Sequence, residues 1–324
     1  MRYRKLGKAG FEVSEIGFGA WGIGADWWKG SSDEEALAAL KLAIDLGVNF
    51  IDTAMGYGGG HSERLIGQVL SDCPGRVYVG TKIRPMNFNF GPKPGDSFPE
   101  AYTKEWIVEC TENSLKNLGQ EQLDLQMLHV WLDEWAERDE WQAAVTQLKE
   151  QGKIRSFGLS LVFPLEGPHV PRQAIATGLV DVCEVVYNIY QQEPQTTLFP
   201  LAQQENVGIV VRCPLDEGAL TGQIKSDSTF PPDDWRNDYF RDERKQEVHD
   251  RAQALQWLVD CEGNSLSEAA LRFCLSHPAV STVIAGMRRP AHVQANVEAA
   301  GRGALAPENQ ERLQEHAWPH NFWI

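Results

Sequence analysis

Residues 50–58 read FIDTAMGYG, an apolar run that stops at Asp52 and then presents Tyr57. The form recurs downstream: residues 77–83, VYVGTKI, end at Lys82, and residues 123–131, LDLQMLHVW, reach His129. Short apolar runs that each stop at a polar group are expected where parallel barrel strands deliver side chains to one shared face.

Working outward, strand-like runs fall at 16–20, 48–51, 77–83, 123–129, 154–160, 182–187, 207–213 and 280–285. Amphipathic helical patterns lie between them, as at 33–46, 62–70, 103–118 and 140–151. Eight strands, each followed by a helical pattern, predict a closed parallel (β/α)8 TIM barrel, one domain over residues 1–324. A doubly wound open sheet is the competitor, but GFGAWGIG at 17–24 is not a clean GxGxxG opening a helix. Residues 3–5 and 12–14, joined through Gly7 and Gly10, predict a short N-terminal hairpin closing the barrel floor. Long connections at 84–100 and 214–243 follow strand ends, where loops carry function, and an aromatic tail occupies 316–324.

Composition narrows the function classes. Of 324 residues 42% are hydrophobic, with no apolar run of the roughly 18 residues a membrane helix needs. Forty-five acidic against 30 basic side chains give a net charge of −15, which argues against general affinity for nucleic acid or anionic membrane. The 6 cysteines form no CxxC pair, so neither a zinc site nor a disulfide framework is expected, and no metal is assigned. Reduced thiols and the lack of an apolar stretch behind the N-terminal charges predict a cytoplasmic protein without a secretory signal. No outer helix shows an isolated apolar stripe, so a monomer is the default expectation.

Reducing a carbonyl requires a hydride donor, an acid for the developing alkoxide, and groups that hold the carbonyl. Tyr57 is assigned as general acid, and Lys82 as the ammonium expected to lower the phenol's pKa. Asp52 is expected to pair with Lys82 and keep it charged, and His129 to orient the carbonyl oxygen. Each residue alone is more often a packing or capping group; the ordered set at successive strand ends supports catalysis.

With these residues in place, the chain resembles the aldo-keto reductases over nearly its full length. The resemblance rests on DTAxxYG at 52–58, SExxxG at 62–67, TK at 81–82, LHxW at 128–131, GKIRxxGxS at 152–160 and PLxxGxLTG at 214–222. It implies an NADPH-dependent reductase of the bacterial branch, working without metal on a small carbonyl or sugar substrate. It also implies cofactor contacts from Gly19, Ala20, Trp21, Ser160, Pro214, Leu215 and His292. Gly286 ends the eighth strand, and Arg288 precedes a helix begun by Pro290, an arrangement suited to a 2′-phosphate; Asn296 stands where the family contacts adenine.

Three departures bear on the nicotinamide grip. Leu161 follows Ser160 where the family usually has Asn, Glu184 replaces a Gln, and Arg212 replaces a stacking aromatic. Glu184 and Arg212 lie on adjacent predicted strands and are expected to pair, leaving the guanidinium to stack on the ring. Trp21, Trp27 and Trp131 are the expected substrate-pocket residues, with Phe88, Phe90 and Phe98 in the long third loop. Two alternatives stay open: an aldose or polyol dehydrogenase using the same residues in the oxidative direction, and a cofactor-sensing regulatory subunit resembling potassium-channel β subunits.

Overall fold

The computed structural model describes residues 1–24, 32–73 and 75–323. Strands β1 (Tyr3–Lys5) and β2 (Glu12–Ser14) pair antiparallel as the expected hairpin. The remaining strands are β3 (Ile16–Gly19), β4 (Phe50–Asp52), β5 (Tyr78–Ile83), β6 (Leu123–Leu128), β7 (Ile154–Ser160), β8 (Val182–Val186), β9 (Gly208–Arg212) and β10 (Val280–Gly286). They run parallel and close into a barrel in the order β10-β3-β4-β5-β6-β7-β8-β9.

These strands read as apolar runs because a ring of helices covers their outer face while their inner side chains fill the barrel. All of β6, LDLQML, is buried. Below, Leu6, Phe11 and Val13 of the hairpin join Phe50, Leu125, Met127, Val182, Val210 and Ile284 in one apolar cluster. This plug closes the floor, so polar groups can meet only at the opposite, carboxyl end. The fourth strand begins later than the sequence suggests, because Asn49 is engaged elsewhere. Its side chain accepts from Ser14 N–H at 2.6 Å, and its own N–H donates to Ser14 Oγ at 3.1 Å. The strand therefore carries Asp52 as its last residue.

The outer helices start where their caps are. Ser32 accepts from Glu35 N–H ahead of the helix Asp33–Asp45, and Thr103 from Trp106 N–H ahead of Lys104–Leu118. Gly119 ends the latter in the left-handed conformation. The loop at 84–100 is not wholly irregular: it closes with a helical turn, Phe98–Ala101, whose Phe98 is buried in the core.

Candidate active site

Side chains from β4, β5, β7, β8 and β9, with Tyr57 and His129 just beyond β4 and β6, build the site. Lys82, on β5, is fully buried, and its ammonium donates to Asp52 Oδ1 at 2.5 Å and to the Thr53 carbonyl at 3.0 Å. A second carboxylate, Glu184 on β8, places Oε2 3.3 Å from the same ammonium. Burying an unpaired ammonium would be prohibitive; this arrangement offsets the cost. The ammonium lies 5.4 Å from the centre of the Tyr57 ring, which in turn sits 6.0 Å from the His129 ring, edge to face. The structure thus brings Asp52, Tyr57, Lys82 and His129 together.

The electrostatics differ from the sequence expectation in one respect. The Tyr57 phenol is held above its ordinary range, first by burial, with Lys82 pulling down against Asp52 and Glu184 pushing up. Lys82 alone would favour phenolate, but two carboxylates spend most of its charge. Asp52 is also shifted well up, by burial and then by Glu184. His129 is held well below its ordinary value by burial and by the Lys82 and Arg212 cations, so the imidazole is neutral at pH 7. Its buried Nδ1 has no hydrogen-bond partner among the described residues.

The three departures prove to be one linked set. Arg212 places Nε 3.7 Å from Glu184 Oε1 and donates from its terminal nitrogen to the Leu161 carbonyl at 2.9 Å. Ser160 donates to Glu184 Oε1 at 3.2 Å. The guanidinium lies 5.4 Å from the Phe163 ring centre. Leu161, whose side chain cannot ligate anything polar, contributes its backbone oxygen instead.

A second layer fixes these groups, and the sequence motifs gave no role to it. Ser62 bonds Thr53 Oγ1 at 2.9 Å and the Ala20 carbonyl at 3.1 Å, tying the ends of β3 and β4. Glu63 accepts from Thr81 at 2.6 Å and from Asn117 at 2.8 Å, beneath Lys82. Tyr102 Oη accepts from Val130 N–H at 3.2 Å, next to His129. Gly24 packs so closely that a Cβ there would lie 3.1 Å from the Tyr57 backbone carbon. Gly58, at φ 64°, would drive a Cβ to 2.0 Å from the Gly24 carbonyl oxygen. The only available signals were the spacing of SExxxG and the glycines themselves.

The other expected residues divide. Gly19 pairs in register with Asp52 on one side and Gly286 on the other, so β3 joins the catalytic corner to the end of β10. There the helix Pro290–Gly301 begins, its N-cap Arg289 giving no side-chain cap bond among the described residues. Arg288, Arg289 and Arg236 crowd beside it; burial and the two neighbouring guanidiniums press the Arg288 pKa down. His292 is likewise lowered, by burial and then by Arg288 and Arg289. Arg236 is paired with Asp234 at 2.7 Å and Arg289 lies 3.9 Å from Glu35; the positive charge that remains beside the helix start suits a phosphate. Asn296 is buried and donates to the Gly286 carbonyl at 3.4 Å. Ala20, Pro214 and Leu215 stand just beyond the ends of β3 and β9, the strands on either side of β10.

Of the expected pocket residues, Trp21 is half-buried, its ring 5.2 Å from that of Trp235 and 6.1 Å from that of Trp323. Trp27 lies outside the described residues. Trp131 is fully buried and points into the helical layer, edge-on to Trp135 at 6.0 Å and Trp141 at 5.4 Å. Its place two residues after His129 put it near the site, but both residues lie beyond the end of β6, and the chain there turns the indole into the helical layer. Phe90, from the long third loop, lies edge-on to His129, its ring 5.2 Å away and 47% exposed. Among the described residues no cluster of metal-ligating side chains occurs.

A closed parallel barrel with an ion-paired lysine, a phenol and a neutral imidazole at its carboxyl end, and a basic helix terminus beside them, defines an oxidoreductase of the nicotinamide-dependent barrel class. The sequence model of the aldo/keto reductase family matches residues 15–317, and the chain belongs to that family. It is 30% identical over 318 residues to the aldo-keto reductase YhdN of Bacillus subtilis, covering 97% of this chain and 92% of that one. It is also 30% identical to the NADH-specific methylglyoxal reductase of Escherichia coli, covering 92% of this chain and 93% of that one. Among solved structures, the holo form of aldo-keto reductase AKR11C1 from Bacillus halodurans superposes with a TM-score of 0.76 at 28% identity, covering 98% and 96% of the two chains.

Proposed function

We propose that the protein reduces an aldehyde or ketone to an alcohol with NADPH, Tyr57 acting as general acid. The observation that carries this reading is the buried Asp52–Lys82 pair set beneath the Tyr57 ring, with His129 across from it. When bound, the reduced nicotinamide supplies a hydride. Tyr57, held as a neutral phenol, donates its proton to the oxygen as negative charge develops there. His129, neutral and carrying an unpartnered buried nitrogen, donates a hydrogen bond to that oxygen from whichever ring nitrogen bears its proton, and so fixes the carbonyl's direction. Lys82 supplies positive charge behind the phenol without giving up its own proton, because its carboxylate partners hold it protonated.

Ser160, Glu184 and Arg212 would hold the nicotinamide end, and Arg288, His292 and Asn296 the adenosine phosphate end. The guanidinium of Arg288 is the group that would select a 2′-phosphate and hence NADPH. The NADH-specific relative makes that preference the point to measure. Phe90 and Trp21 give the rim an aromatic lining suited to a small uncharged carbonyl compound.

The test is NADPH consumption with a panel of aromatic and short aliphatic aldehydes, wild type against Tyr57→Phe, repeated with NADH. Loss of turnover by roughly 10²–10⁴-fold in the variant, with NADPH binding retained, is the expected result. Equal turnover by Tyr57→Phe would remove the phenol from the mechanism.

A further inference from the structure

Beyond the nicotinamide contact proposed for it, the Glu184 carboxylate faces Lys82, whose ammonium already has a counter-ion in Asp52. Its surroundings show what it does. Lys82 is fully buried, and its ammonium gives hydrogen bonds to Asp52 and to the Thr53 carbonyl. The remaining face of that ammonium meets Glu184 Oε2 at 3.3 Å, and this oxygen has no hydrogen bond of its own among the described residues. The other oxygen, Oε1, accepts from Ser160 and lies at ion-pair distance from Arg212. Glu184 is therefore clamped by β7 and β9 and aimed at Lys82 from β8.

We propose that Glu184 is a second counter-ion of Lys82, a positioning residue that competes with Tyr57 for the ammonium and so keeps the phenol in its protonated, proton-donating form. This rests on the reading of Tyr57 as the acid. The charged and titratable groups facing the phenol come from every neighbouring strand end: Asp52, Lys82, His129, Glu184 and Arg212. Asp52 and Glu184 press the phenol toward its protonated form against the pull of Lys82 and Arg212, in the same sense as the larger effect of burial. Without Glu184, Lys82 and Arg212 face Asp52 alone, and one of the pushes that adds to burial in holding the phenol protonated is gone. The arrangement favours reduction, where the phenol must give a proton, over oxidation, where phenolate must take one.

The experiment is a tyrosinate absorbance titration of the free protein, with each Tyr57→Phe counterpart subtracted so that only Tyr57 is seen. Glu184→Gln, close in shape, should lower the Tyr57 midpoint by about one pH unit or more. Arg212→Met, which removes one of the two cations facing Glu184, should raise it. Opposite shifts in the two variants support the inference; a Glu184→Gln midpoint matching wild type, in a folded protein, overturns it. The pH profile of alcohol oxidation gives a second readout, its rising limb moving to lower pH in Glu184→Gln. The titration needs neither cofactor nor substrate, so a shifted midpoint in a protein that turns over no carbonyl would sink the proposed reaction and leave the Glu184 assignment standing.

Discussion

At the scale of single residues, the site is governed by the cost of burying Lys82. An ammonium with no solvent contact survives only if compensating charge is at hand, and here that charge is duplicated in Asp52 and Glu184. The duplication makes the two sides of the pair unequal. Replacing Lys82 with Met strands both carboxylates in the interior and should cost about 3–5 kcal/mol. Replacing Asp52 with Asn leaves Glu184 in contact with the ammonium and should cost clearly less. Urea unfolding of the two variants measures the difference, and equal losses would show that Glu184 does not act as a counter-ion. That Asp52, Tyr57, Lys82 and His129 meet could be read from sequence because Asp52, Lys82 and His129 each interrupt an apolar run near a strand end and Tyr57 follows one of those ends. The direction of the Tyr57 shift could not. It depends on burial and on a carboxylate four strands around the barrel, and no local pattern reports either.

Element boundaries were largely legible for a related reason. A parallel strand covered on both faces is a run of apolar residues, and a helix start is marked by Ser32 or Thr103 accepting from the third residue on. What stayed hidden was contact between elements. Trp131 follows the strand that delivers His129, yet its ring belongs to the helical layer, whereas Phe90 reaches His129 from a loop with no periodicity to read. Glu63 was visible only as a motif letter; its bonds to Thr81 and Asn117 join β5 to two helices. At the helix Pro290–Gly301, the proposed phosphate contact is the guanidinium of Arg288 beside the helix start. Arg288→Ala should therefore weaken NADPH binding by about tenfold or more, the scale of one lost charge-assisted contact. NADH binding should change little. Fluorescence titration with both cofactors separates the outcomes, and an equal loss for both would mean that Arg288 contacts a part common to the two.

At the scale of the whole molecule, the tail closes a circuit over the catalytic face. Trp318 N–H donates to the Tyr190 carbonyl at 2.8 Å, Asn321 reaches the Phe163 carbonyl at 2.8 Å, and Trp323 stacks on Trp235 at 4.9 Å. His320 lies 3.2 Å from Asp216, in the turn after β9, where Asp216 and Glu217 both adopt positive φ. The last few residues thus tie together loops that follow β7, β8 and β9. Two titrating groups make this closure sensitive to pH, in the same sense. Burial pushes the Glu217 carboxyl up to about 7, although a Cys213 thiol and the Trp323 indole bond to it. The unfolded chain releases that proton at the ordinary carboxylate value, so the folded state loses stability as pH climbs from there to about 7 and no more beyond it. Burial works against charge on His320, but the Asp216 carboxylate prevails and its pKa rises. The stability this pair contributes is complete below the ordinary histidine value and disappears as pH passes the raised one. Between about pH 5.5 and about pH 8 the wild type should lose about 1–2 kcal/mol through Glu217, allowing for its partial exposure. Glu217→Gln should lose less over that interval, and the double variant with His320→Gln should be nearly flat. Thermal unfolding across the interval is the measurement. Parallel curves for wild type and both variants would show that the tail closes by aromatic packing alone, with no contribution from its buried acid and imidazole.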